Sequence, residues 1–152
     1  MKNLLCFFLL FGSVGLFAQN GVATIDTGSI KGAKYRILFP ENWKGKLVMY
    51  AHGYEFMGAS PRQSQNPGFV SNMKPFLERG FAVAASDYSN QGYAMPEGIE
   101  DTEALRSYFV KTYGKPDSTF MVGHSMGGGI TLGIMENYGQ SYLGGLPLCP
   151  LS

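Results

Sequence analysis

Gly123-His124-Ser125-Met126-Gly127 is the stretch on which the reading of this chain turns. Ser118 to Val122, just before it, form a short run that predicts a buried strand, and the residues after it, through Tyr138, predict a helix. A serine on so tight a strand-to-helix turn takes a strained backbone conformation, and its neighbours two places either side must be small. The turn then holds the hydroxyl out where it can act as a nucleophile. Glycine supplies 21 of the 152 residues, so the bare pattern carries little weight and a structural glycine-rich linker is its alternative. The strand before and the helix after favour an exposed nucleophile.

Outward from this turn, Lys46 to Ala51 and Phe81 to Ala85 are almost continuous apolar runs, which suit strands covered on both faces of a parallel sheet. Gly21 to Ile25 and Lys34 to Phe39 predict two earlier strands, separated by a turn around Gly28 and Gly32. Phe69, Val70, Met73, Phe76 and Leu77 repeat at helical spacing after Pro67, and Gly80 stops that helix. Pro75 is expected to kink or divide it. A second helix starts near Pro96, carries Leu105, Tyr108 and Phe109, and ends by Gly114; its acidic start at Glu97, Glu100, Asp101 and Glu103 complements the helix dipole. The third carries Ile130, Leu132, Ile134 and Met135, and Leu143 to Leu148 predicts a last strand. Strands alternating with helices predict an α/β fold, a mostly parallel sheet with helices on both faces. In such sheets reactive loops gather at the carboxyl ends of the strands, where His52, Asp87 and Ser125 all fall.

Three pieces, placed in the right order along the chain, resemble the α/β-hydrolase family, and within it the secreted esterases and serine aminopeptidase-like enzymes. They are the turn at Ser125, His52-Gly53-Tyr54 directly after an apolar strand, and the run ending in Asp87 followed by Tyr88-Ser89-Asn90-Gln91-Gly92. The resemblance covers about Lys34 to Ser152. It implies an α/β-hydrolase fold, an acyl-enzyme formed at Ser125, and an oxyanion hole made by the backbone N–H groups of Met126 and Tyr54. Glu55 is the next candidate for the second donor, and an aromatic wall is the alternative role of Tyr54. The resemblance gives His52 to the oxyanion loop rather than to the catalytic base. His124 adjoins the serine, but neighbours on a sharp turn point apart. Asp87 could orient a histidine, yet strand-end aspartates more often bond nearby backbone N–H groups. His52, Gly53, Tyr88 and Tyr93 are the candidate substrate-binding residues. Aromatic residues in these loops favour an apolar or aromatic acyl group, and the substrate is a small-molecule ester or a short peptide.

In that family the acid and the histidine of the triad lie downstream of the serine. Only 27 residues follow Ser125, with no histidine or aspartate among them. The chain is therefore expected to be an incomplete hydrolase domain (19–152) with its C-terminal strands missing, inactive by itself and exposing an aggregation-prone last strand. The alternative is a non-catalytic hydrolase-like binding protein or a decayed remnant.

The formal net charge of +1, with acids and bases interleaved, argues against a nucleic-acid partner. Neither a metal nor a cofactor is expected: Gly127-Gly128-Gly129 lacks the following Lys-Ser or Lys-Thr of a phosphate loop. Lys2, the apolar run Leu4 to Phe11 and the small residues through Ala18 have the layout of a secretory signal peptide (1–18). A membrane anchor is the alternative, but Leu4 to Ala18 falls short of the ~20 residues needed to span. The expected location is secreted or periplasmic, with no stable membrane anchor after signal removal. Cys149 is then the sole cysteine, so no internal disulfide forms. Its apolar neighbours predict a small buried residue, with a reactive thiol as the alternative.

Overall fold

The computed structural model describes residues 22–150, so the stretch read as a signal peptide lies outside the described residues. Nine main elements follow one another: β1 (Val22–Ile30), β2 (Ala33–Pro40), β3 (Lys46–Ala51), α1 (Gly68–Leu77), β4 (Phe81–Ser86), α2 (Met95–Tyr113), β5 (Ser118–His124), α3 (Met126–Tyr138) and β6 (Gly144–Leu148). The six strands form one sheet in the order β1-β2-β4-β3-β5-β6. β1 and β2 are antiparallel to their neighbours, while β4, β3, β5 and β6 run parallel.

The unbroken apolar runs are explained by burial on both sides. Leu47, Met49 and Ala51 of β3 join a core with Leu105 and Phe109 of α2 and Ile130 and Ile134 of α3. Val48, between them, joins a second core with Phe69, Met73 and Leu77 of α1. Side chains alternate across a strand, so a strand sandwiched between helices needs apolar residues at every position. Each fully buried Leu, Ile or Met contributes roughly 1.5–3 kcal/mol, and β3 supplies Leu47 and Met49 to that burial.

Several local expectations are corrected. β1 continues through Gly28 to Ile30, and the turn falls on Lys31 and Gly32, both at positive φ. Gly28 is a strand residue whose partner Tyr35 lays its ring where a side chain would stand. Pro75 does not divide α1, which runs unbroken from Gly68 to Leu77. Leu132 is exposed rather than in the core. Cys149 is exposed too, since it follows an edge strand covered by β5 on one side only. Leu143, Leu146 and Leu148 along that edge are also exposed. No helix among the described residues is long and apolar enough to cross a membrane.

Candidate functional site

Ser125 stands between the end of β5 and the start of α3 with φ 57° and ψ −122°. Few non-glycine residues take positive φ, and holding one there costs on the order of 1–3 kcal/mol. Hydrogen bonds on both sides offset that cost. Ser125 N–H donates to the Leu148 carbonyl (2.9 Å), and the Ser125 carbonyl accepts from Gly128 N–H (2.9 Å). The flanking glycines are required by close approach: a Cβ on Gly123 would overlap the Gly127 carbonyl, and one on Gly127 would overlap the Ala51 carbonyl. Ser125 itself is half-buried. The Met126 N–H opens α3, where a helix N-terminus favours negative charge, and no hydrogen bond engages it among the described residues.

The loop after β3 reaches this turn. A Cβ built on Gly53 would lie 3.3 Å from Ser125 Cβ and 3.3 Å from His124 Cε1. Tyr54, the next residue, is half exposed, and its N–H also has no hydrogen-bond partner among the described residues. Gly53, just before Tyr54, thus lies against the turn that carries Ser125 and Met126. Tyr54 also forms an edge-on aromatic pair with Phe56 (5.4 Å) at the rim, where Phe56, Met57 and Tyr93 are strongly exposed. Tyr54, Phe56, Gln63 and Asn66 line a cavity of about 270 Å³ beside them.

His52 and Tyr88 depart from the expectation that they contact substrate. Both are buried, with their rings stacked at 4.1 Å and 18°. Tyr88 O–H donates to the His52 carbonyl (3.1 Å), and His52 Nδ1 lies 2.7 Å from the Gly53 carbonyl. They brace the loop from inside because the alternation of β3 turns His52 toward the α1 face. Burial pushes the His52 pKa below its ordinary value, against the smaller opposing pull of the Gly53 carbonyl, Asp87 and Glu55. His124 is exposed. Among the described residues no hydrogen bond joins either imidazole to the Ser125 hydroxyl.

Asp87 is fully buried and bonds backbone, as expected of a strand-end aspartate, though from a distant segment. It accepts from Ser64 N–H (2.6 Å), Ser64 O–H (2.7 Å) and Gln65 Nε2 (3.4 Å). The residue that sequence reasoning missed is Arg62. Its guanidinium pairs with buried Glu55 and donates to the carbonyls of Asp87, Tyr88 (3.3 Å) and Asn90 (3.4 Å). Glu55 also accepts from Gln63 N–H (3.0 Å) and Gln91 Nε2 (3.2 Å). The acidic start of α2 does more than complement a dipole: Asp101 accepts from Ser89 N–H (2.7 Å), and Glu103 accepts from Tyr142 O–H. No spacing or composition signal marks these long-range pairs.

A mostly parallel sheet sandwiched between helices, with a serine at the turn from β5 into α3, is the α/β-hydrolase fold, and this chain has a part of it. No family model matches the sequence. Solved structures that share the fold include a thermostable carboxyl esterase from Bacillus coagulans (23% identity, TM-score 0.61, 80% of this chain and 42% of that one). A Pyrococcus furiosus esterase matches at 18% identity and TM-score 0.66, over 84% of this chain and 51% of that one. Est1E from Butyrivibrio proteoclasticus, with ferulic acid bound, matches at 20% identity and TM-score 0.64, over 82% of this chain and 52% of that one. An o-phthalyl amidase of Xanthobacter agilis is 26% identical over 134 residues, 86% of this chain and 28% of that protein. The chain thus spans about half, or less, of the length of these proteins.

Proposed function

We propose that this chain is part of an exported serine hydrolase that cleaves a small carboxylic ester through an acyl-enzyme at Ser125. The observation that carries the reading is the meeting of the Ser125 turn with two unpartnered backbone donors, the N–H groups of Met126 and Tyr54. In this reading Ser125 Oγ attacks the carbonyl carbon and the C=O electrons move onto oxygen. The two N–H groups stabilise that oxyanion; one such donor is typically worth about 3 kcal/mol in the transition state. The tetrahedral intermediate then expels the alcohol, which takes up a proton, and water releases the acid from the ester of Ser125. The exposed Tyr54–Phe56 pair favours an aromatic acyl group. So does the chemistry named for two similar proteins, since ferulic and o-phthalic acids are both aromatic. Short peptides remain the competing substrate class, and residues 1–18 carry the proposal of export.

Attack needs a base, and neither histidine is bonded to Ser125 among the described residues. The base and its acid partner are proposed to come from the remainder of the whole protein. Loss of the base alone can cost about 10⁶ in turnover, so the 152-residue chain should hydrolyse 4-nitrophenyl acetate negligibly. The full-length protein should do so readily, and Ser125→Ala should abolish it. Rapid turnover by the 152-residue chain would contradict the missing-base argument. The unbonded Ser125 hydroxyl also favours a second reading, a non-catalytic protein of the same fold, for which even the full-length protein would be inert.

A further inference from the structure

His52 is only 3% exposed, and its two ring nitrogens have different surroundings. A carbonyl oxygen only accepts, so the nitrogen 2.7 Å from the Gly53 oxygen, Nδ1, carries the proton. Burial disfavours the imidazolium, which leaves Nε2 as a bare acceptor. Nε2 has no partner among the described residues, and His52 lines a cavity of about 170 Å³ with Tyr50, Ser64, Asn66 and Asn72. Tyr88 fixes the ring by stacking on it and fixes the backbone by its bond to the His52 carbonyl.

The consequence lies in the next peptide unit. The bond between Gly53 and Tyr54 is trans. In a trans peptide the C=O of one residue and the N–H of the next share a plane and point in opposite directions. A glycine allows that plane to rotate more freely than any other residue does. Anchoring the Gly53 carbonyl to His52 Nδ1 removes the freedom and turns the Tyr54 N–H away from the imidazole. Resting on the hydrolase reading, we propose that His52 is a positioning residue: its Nδ1–H holds the Gly53–Tyr54 peptide so that the Tyr54 N–H faces the oxyanion formed at Ser125. It exchanges no proton with substrate, and its role ends at the Gly53 carbonyl.

The test is NMR of the full chain with ¹⁵N-labelled backbone and histidine rings. The expected spectrum shows a neutral His52 protonated on Nδ1, and an NOE between the Tyr54 amide proton and the Ser125 β protons. His52→Asn should keep the NOE, because its side-chain nitrogen stands where Nδ1 stood and donates to the same carbonyl. His52→Phe keeps the stack on Tyr88 but has no donor, and should lose it. An Nε2-protonated tautomer, no NOE in the wild type, or an NOE that survives in His52→Phe would each overturn the assignment; the first two need no variant to fold. Fluorophosphonate labelling of the full-length protein separates this from the underlying reading. Labelling together with an overturning spectrum removes only the role of His52, whereas no labelling removes the hydrolase reading and the role with it.

Discussion

Ser125 and Tyr54 sit on two segments that meet at Gly53, and the segments are built in different ways. The turn at 123–127 depends mainly on backbone shape: two glycines admit close carbonyls, and Ser125 bonds backbone groups around it. The loop at 52–66 depends on side chains from elsewhere. Arg62 reaches Glu55 and the backbone after β4, Asp87 holds Ser64, and Tyr88 holds His52. A strained turn that needs glycines leaves a motif. A loop held by distant partners leaves none.

That contrast can be broken by substitution. The largest loss is expected in Arg62→Met, which strands the Glu55 carboxylate in a buried site; removing one partner of such a pair costs about 3–5 kcal/mol. Urea unfolding would measure it, and the double variant Glu55→Met/Arg62→Met should recover most of the loss. A cost below about 1 kcal/mol would mean that the pair does not hold the loop. Gly127→Ala should come next at about 3 kcal/mol, the upper range for overpacking, because the obstacle is backbone and cannot rotate aside. A wild-type melting curve for that variant would contradict the geometry of the turn. Ser64→Ala removes one of the hydrogen bonds to buried Asp87 and should cost about 1–2 kcal/mol in the same assay.

The smallest effect is on pH dependence. Burial lowers the His52 pKa, so the unfolded chain binds a proton more readily than the folded one. The contribution is fully present above the ordinary value of 6.5 and is lost as pH falls below it toward the lowered value. Between pH 7.5 and pH 5.5 the wild type should therefore lose more stability than His52→Asn. An identical pH profile for the two would show that the imidazole is not the group responsible.

The same contrast explains what could be read in advance. β3 and β4 were legible because strands covered on both faces need apolar residues throughout, and Ser125 because its turn tolerates so few residues. Tyr88 and His52 read as substrate-binding residues in sequence, since loop position says nothing about a ring turning inward. Arg62 was invisible: its carbonyl partners lie 25 to 28 residues away and are backbone atoms with no identity of their own. Gly28 reads as a turn residue because a glycine beneath a tyrosine ring looks, in sequence, like any other glycine.

The central claim is that the Ser125 hydroxyl is an acyl-accepting nucleophile. Treating the full-length protein with a fluorophosphonate and mapping the adduct by mass spectrometry tests it most directly. A single adduct on the peptide containing Ser125, absent from Ser125→Ala, is the predicted result. No adduct, or one that persists in Ser125→Ala, would contradict the account.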